Sequence, residues 1–275
     1  MMNCGLKSVP SAANIALEEP VTMEELFQAI KLGKPNKAPG RAGICPEFIK
    51  KTWEVIKYNL LEIMNDMYRD GIISDQQNHG IRDCLPKNPD PMRIEDYRPL
   101  TLMNTDYKLF TRFIANRLRP WLIDILQPSQ HCGLSGNTAF DAVATIRDAV
   151  AYAETTGTPV CVLAIDFKEA FDRISHSYLY TLLRQYGFND RFQQKIRNIC
   201  DNATASIQIT GHRSCPIQIR SSVRQGCPIS MQLFAMCLNP LLFTLENNLA
   251  GIQIGRRRVK TTVVAYADDV TIFAT

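Results

Sequence analysis

The sequence predicts an α+β fold, an antiparallel sheet backed by helices. Three observations carry that prediction. A short continuous apolar run, Val160 to Ile165, reads as a central strand buried on both faces, and it delivers Asp166 at its end. Two β-prone runs, Val259 to Ala265 (broken by Lys260, Thr261 and Thr262) and Val270 to Phe273, read as a hairpin tipped by Asp268 and Asp269. Between them the pattern gives two helices, a hairpin and a further helix, an order that suits a helix-backed antiparallel sheet better than a doubly wound parallel one.

A chain of 275 residues, 45% hydrophobic and 21% charged, can bury a full core and is globular rather than disordered, in one large domain or two smaller ones. No apolar run approaches the roughly 18 residues needed to cross a bilayer, and Met1 to Pro10 lacks a signal-peptide core, so a soluble intracellular protein is expected. The nine cysteines are scattered with no C-x-x-C pair, which fits free thiols in a reducing compartment and argues against a zinc site or a disulfide framework. The net charge of +4 announces no partner by itself. Arg184, Arg191, Lys195, Arg197, Arg213, Arg220 and Arg224 could form a basic surface for phosphates, or simply a solvated helix face.

Taken in order, Thr22 and Glu25 form a capping box for an amphipathic helix over 22–32, stopped by Gly33. A basic loop rich in Pro and Gly follows, from Lys34 to Gly43. Its composition suits either a phosphate backbone or a plain surface linker. Pro46 opens one helix whose stripe, Ile49, Trp53, Ile56, Leu60, Met64 and Met67, runs to Gly71. Residues 72–103 read as extended and irregular. Lys87 and Arg98 lie there beside stiffening prolines and are suited to hold a polyphosphate or to sit at the surface. Asn104 and Asn137 each suit a helix N-cap, the first helix ending or kinking at Pro120 and the second reaching Gly157. Helices over 175–187 and 190–200, a hairpin around Gly211, and an apolar helix from Ser230 to about Asn248, disturbed at Pro240, complete the pattern.

If the strand ending in Asp166 and the hairpin tipped by Asp268 and Asp269 are neighbours, three carboxylates meet at one sheet edge. Adjacent carboxylates repel, and a divalent cation relieves them; Mg²⁺ suits an all-oxygen site, and two such ions suit phosphoryl transfer. The alternative is that Asp268 and Asp269 are ordinary turn residues. The chain contains neither phosphate-binding glycine loop, nor H-E-x-x-H, nor G-x-S-x-G.

Six ordered blocks carry a resemblance: Leu85 to Lys87, Tyr97 to Leu100, Ala115 to Leu118, Ile165 to Asp172, Val223 to Ser230, and Tyr266 to Asp269. Together they resemble the reverse transcriptase domain of non-LTR (LINE-type) retrotransposons, over roughly residues 30–275. The resemblance implies a right-hand polymerase, with fingers and an antiparallel palm. Residues 1–80 would be an N-terminal helical extension and the start of the fingers, and 81–275 a fingers/palm domain that lacks the thumb. It implies RNA-directed DNA polymerase activity on an RNA template, a DNA primer and dNTPs. Asp166, Asp268 and Asp269 would ligate two Mg²⁺ ions with help from the Phe167 carbonyl. Phe171 would be a steric gate against a ribose 2′-OH. Gln225 and Gly226 would line the nucleotide and template side, and Lys87 and Arg98 would contact the triphosphate. Asp172 would instead cap or salt-bridge the segment after it.

Two departures stand out. Ala42 replaces an Asp often found before Gly43, and Gly133-Leu134-Ser135 replaces a Gly-Phe-Arg, which affects a template-side contact. The chain stops at Thr275, so a thumb and an endonuclease domain are expected in a longer parent polyprotein. The rival expectation is an inactive truncated remnant that at most binds RNA. An element of this kind would need to reach chromosomal DNA in the nucleus, yet the basic run Arg256 to Lys260 is short for an import signal.

Overall fold

The computed structural model describes residues 5–134, 136–209, 211–255 and 259–275. Ser135 and the basic run Arg256 to Arg258 lie outside the described residues. The first part of the chain is helical: α1 (Ser11–Ala16), α2 (Met23–Lys31), α3 (Pro46–Lys51), α4 (Trp53–Asp70) and α5 (Asp75–Asn78). There follow β1 (His79–Pro86), β2 (Tyr97–Leu102), α6 (Thr105–Leu118), α7 (Leu122–Ile125) and α8 (Ala139–Thr156). Next come β3 (Cys161–Asp166), α9 (His176–Gln185), α10 (Asp190–Asp201), β4 (Thr204–Ile209), β5 (His212–Arg213) and β6 (Ile217–Gln218). The last part holds α11 (Ser230–Asn248), β7 (Ile252–Ile254), β8 (Val259–Thr261), β9 (Val263–Tyr266) and β10 (Asp269–Ala274).

Local chemistry sets many of these boundaries. Thr22 and Glu25 close their capping box reciprocally, Thr22 accepting from the Glu25 amide and Glu25 from the Thr22 amide. The single helix expected from Pro46 to Gly71 is instead two, because Thr52 leaves helical geometry (φ −96, ψ 6) between α3 and α4. Gly71 then ends α4 in the left-handed region that glycine adopts without penalty. The second capping residue is Thr138 rather than Asn137, in a box with Asp141. Asn104 stands at the start of α6 without capping it; its side chain accepts from the Ala42 amide and donates to the Gln76 carbonyl. Pro240 leaves α11 unbroken.

The segment expected to be irregular forms a β-hairpin, β1 against β2, from Ile81 opposite Leu102 to Pro86 opposite Tyr97. Adjacent Arg82 and Asp83 break the period-2 pattern in β1, and Pro86 and Pro99 argue against strands, so the sequence hid them. β1 also pairs in parallel with β4, so this sheet is mixed, in the order β2-β1-β4-β5 with β6 on β4. A second sheet, β3-β10-β9, is antiparallel throughout. Val263, Ala265, Val270 and Ile272 enter the main core from one face of it, and α11 lies against β9. Val264 and Phe273, on the other face, pack with Ala142, Ala149 and Ala153 of α8. Burying a branched side chain such as Val263 or Val264 fully contributes roughly 1.5–3 kcal/mol.

β3 departs from expectation. It is the edge of its sheet, with Val162 43% and Leu163 53% exposed. The backing helices α8 and α11 lie against β9, two strands away, and a continuous apolar run does not by itself say how many layers cover it.

The basic surface expected from 184–224 is also dispersed. Lys195 and Arg224 are buried, Arg191 pairs with Glu18, and Arg197 lies over the Tyr180 ring. Lys195 donates to the Leu17 carbonyl and sits 3.5 Å from the Tyr68 ring centroid, inside the contact of α4, α10 and the segment after α1.

Candidate active site

β9 ends at Tyr266 and β10 begins at Asp269, so only Ala267 and Asp268 make the turn. Ala267 has φ 56, a left-handed conformation that costs an alanine about 1–2 kcal/mol. Its surroundings hold it there. The fully buried Gln130 accepts from the Ala267 amide (3.3 Å) and the Cys132 amide (2.9 Å). On either side of Gln130, the Ser129 carbonyl accepts from the Ala265 amide and the His131 amide donates to the Ala265 carbonyl. Gln130 is thus a positioning residue for the carboxylate turn. Burial pushes the Cys132 thiol up to about 11, the Ala267 backbone opposing and the Asp268 charge reinforcing the shift, so this neighbour is a neutral thiol near pH 7.

Across the sheet, Asp269 lies directly opposite Asp166. Like charges opposite one another destabilise a strand pair. Asp166 and Asp269 are exposed and Asp268 is half-buried, and none of the three carboxylates has a hydrogen bond or ion pair among the described residues. Among those residues, no three His, Cys, Asp or Glu side chains form a ready-made metal cage. Magnesium rarely uses one: it keeps waters and is held by one or two carboxylates plus substrate phosphates. Unpaired oxygen donors that oppose one another fit such a hard cation.

Beyond Asp166 a cavity of about 360 Å³ opens, lined by Asp166, Phe167, Ala170 and Phe234 among others. Phe171 stacks on Phe234 from beside it, with ring centroids 4.6 Å apart. The Phe171 carbonyl accepts from the Val223 amide, which ties this ring to the turn that carries Gln225 and Gly226. Gly226 has φ 95, and a Cβ there would stand 3.1 Å from the Thr101 carbonyl, so a side chain would be both strained and crowded against β2. Asp172 accepts from Arg82 (2.9 Å) and from Ser222 (2.9 Å), a structural link between β1 and this turn rather than a cap or ion pair for the segment after it. Lys87 and Arg98 are exposed on the other sheet's hairpin, the Lys87 ammonium on the Glu95 carbonyl at 2.8 Å, and no described contact joins them to the carboxylates.

The sequence places Arg224 in a basic surface or solvated face and within the block Val223 to Ser230, with no role of its own. It is 4% exposed, without a carboxylate, and its guanidinium donates to the Asn78 carbonyl and side chain, the Tyr107 hydroxyl and the Ile199 carbonyl. It anchors the Gln225 turn to α5, α6 and α10 at once. Gln130 and Arg224 leave little signal in sequence, because Ala267 for the first and Asn78 and Tyr107 for the second lie more than 100 residues away.

Residues 85–275 match the reverse transcriptase (RNA-dependent DNA polymerase) family. The chain is 32% identical over 270 residues to an uncharacterized 149 kDa protein of transposon TX1 from Xenopus laevis, covering 98% of this chain and 21% of that one. It is 29% identical over 243 residues to a retrovirus-related Pol polyprotein from the type-2 retrotransposable element R2DM of Drosophila melanogaster, 87% of this chain and 22% of that one. The RNA-directed DNA polymerase of the mobile element jockey from Drosophila funebris is 24% identical over 261 residues, 92% and 27% of the two chains. The chain thus spans about a fifth to a quarter of the length of these relatives. Among the described residues no helix is long and apolar enough to cross a membrane.

Proposed function

The chain belongs to the reverse transcriptase family, and we propose that it is the RNA-directed DNA polymerase domain of a non-LTR retrotransposon, extending a DNA primer on an RNA template. The observation that carries the reading is the pair Asp166 and Asp269, held opposite one another with Asp268 beside them and no cationic side chain paired with them among the described residues. In this reading β1 and β2 belong to the fingers and the sheet β3-β10-β9 to the palm, within a fingers/palm unit over 81–275 preceded by a helical extension. In this reading a thumb and an endonuclease belong to other parts of a longer polyprotein, and the nucleus is where such an element would meet chromosomal DNA.

The family works with divalent metal, and here Asp166, Asp268, Asp269 and the Phe167 carbonyl are the groups to hold two Mg²⁺ ions. When bound, the metal lowers the pKa of the primer hydroxyl and neutralises charge on the phosphates. The residues' own work is positional. The primer 3′-OH gives its proton to solvent as its oxygen bonds to the α-phosphorus of a dNTP, the bond from that phosphorus to the bridging oxygen breaks, and pyrophosphate leaves. Lys87 and Arg98 take the triphosphate charge, Gln225 and Gly226 border the incoming base pair, and Phe171, braced by Phe234, meets the sugar.

A flat ring rejects an added hydroxyl by clash. Phe171→Val therefore raises ribonucleotide use relative to deoxyribonucleotide use, by about 10-fold to 100-fold, while dNTP incorporation continues. Single-nucleotide incorporation with each substrate class measures it. Equal use of both classes by the unaltered chain would remove the DNA polymerase assignment.

A further inference from the structure

The ring read as the sugar gate, Phe171, is braced on one side by its stack on Phe234. Such a stack resists approach but leaves the ring free to slide in its own plane. The restraint against sliding comes from the backbone of Phe171, which is tied to residues 221–223 at several points. The Phe171 carbonyl accepts from the Val223 amide (2.9 Å) and the Ile174 carbonyl from the Ser222 amide (2.8 Å). The Asp172 carbonyl accepts from the Ser221 hydroxyl (3.0 Å) and its carboxylate from the Ser222 hydroxyl (2.9 Å). His176 Nε2 donates to the Ser222 carbonyl (3.2 Å). Ser222 itself is buried with φ 107, a conformation rarely adopted by residues other than glycine. Strain of this kind persists only where the surroundings over-determine it. Here the amide, hydroxyl and carbonyl of Ser222 are all spent on holding it. Arg82 adds a tie from the other sheet. It lies on β1 opposite Thr101, and its Nη2 donates to the same Asp172 oxygen that Ser222 uses. Its Nε is buried without a partner among the described residues. A buried donor left so calls for a reason, and the guanidinium gives up that bond in reaching Asp172.

We propose that Arg82 is a specificity-determining positioning residue: acting through Asp172 and Ser222, it fixes Phe171 against the sugar, so that rejection of a ribose depends on a cation held by the other sheet. The proposal rests on the polymerase reading and on Phe171 as its gate. A ring excludes one added oxygen only while it cannot yield, and a displacement of about 1 Å is enough to lose such a clash. Asp172 follows Phe171 directly in the chain, so a pull on its carboxylate is felt at the ring. The Arg82–Asp172 pair is partly buried, its side chains 27% and 20% exposed, and salt screens it less than a surface pair. β1 leads directly into Lys87, so one strand carries both a cation for the triphosphate and the anchor of the gate.

The test is equilibrium binding of a matched dNTP, and of the corresponding rNTP, by the chain on a primer–template whose primer ends in a dideoxynucleotide, so that no chemistry intervenes. Arg82→Met and Ser222→Ala are compared with the unaltered chain, with Phe171→Val, and with Phe171→Val combined with Arg82→Met. In each of the first two, Asp172 keeps one of its two donors. Both are expected to lower the preference for dNTP by about 3-fold to 10-fold, through tighter rNTP binding, while dNTP affinity stays within about 2-fold. The combined variant should show the preference of Phe171→Val alone, because changes that act through one group do not add. A preference unchanged in either Arg82→Met or Ser222→Ala overturns the proposal. So does a combined variant whose loss is the sum of the two, which a general loosening of the fold would give. An unchanged preference in Phe171→Val removes the gate on which the proposal rests, and binding of neither nucleotide removes the polymerase reading with it.

Discussion

At the scale of single residues, the site is defined by groups that lack partners and by groups that have many. Asp166 and Asp269 oppose each other without a cation among the described residues, so replacing one with its amide relieves repulsion. Asp269→Asn is expected to leave stability to urea unchanged or slightly higher while abolishing nucleotide incorporation. Arg224 is the reverse case. Its four hydrogen bonds converge from three elements, and Arg224→Met leaves the Asn78 and Ile199 carbonyls buried without a donor. The expected cost is on the order of 2–3 kcal/mol of unfolding free energy, measured by urea titration. The carboxylates could be named as candidates because their chemistry is carried by residue type, and Phe171 and Gly226 because the blocks around them resemble the family. Arg224 and Gln130 could not, since what matters is which distant backbone groups they meet.

At the scale of elements, local signals were legible and layer order was not. The box of Thr22 and Glu25 and the left-handed Gly71 fix their helix ends through neighbours within a turn, so the sequence displays them. Thr22→Ala is expected to cost about 1 kcal/mol in the same titration. The exposure of β3 and the parallel pairing of β1 with β4 depend on what packs alongside, which apolar periodicity does not encode. The buried Lys195 links α10 to α4 and gives a pH-dependent prediction. Burial, reinforced by Arg117, pushes its pKa down to about 8 from 10.5. Between those values the unfolded chain holds a proton that the folded one has lost, so this group's contribution to stability rises with pH across that window. Lys195→Met has no group to titrate there, so subtracting its stability from that of the unaltered chain, each measured by urea titration, cancels the other groups that titrate in this range. The difference is expected to move in favour of the unaltered chain by roughly 1–3 kcal/mol as pH rises from about 8 to 10.5, whatever constant amount the variant loses with the Leu17 and Tyr68 contacts.

At the scale of the whole molecule, one continuous core runs from Val9 and Leu26 through Phe110 and Leu183 to Leu233 and Ile272. It joins the N-terminal helices to the sheet that carries the carboxylates, and Val9, Asn14 and Leu17 bind across to Tyr186, Asn189 and Lys195. The mixed sheet with Lys87 and Arg98 is tied to the carboxylate sheet's connections through Arg82, Asp172 and Ser222. The coarse class, helices backing a sheet with Asp166 beside a carboxylate hairpin, was legible because the strand patterns at Val160 to Ile165 and Val270 to Phe273 were strong, whereas the mixed sheet of β1, β2 and β4 was hidden in a segment that reads as irregular. How the two sheets share one core was not, because it rests on contacts between residues far apart in the chain. The central claim is that the paired carboxylates make this chain a polymerase site. Its most direct test is extension of a DNA primer on an RNA template with Mg²⁺ and dNTPs, comparing the unaltered chain with Asp268→Asn and confirming by circular dichroism that both are folded. Extension by the first and none by the second is the predicted result. Equal extension by both would contradict the assignment of the carboxylates, and no extension by a folded unaltered chain would contradict the polymerase itself.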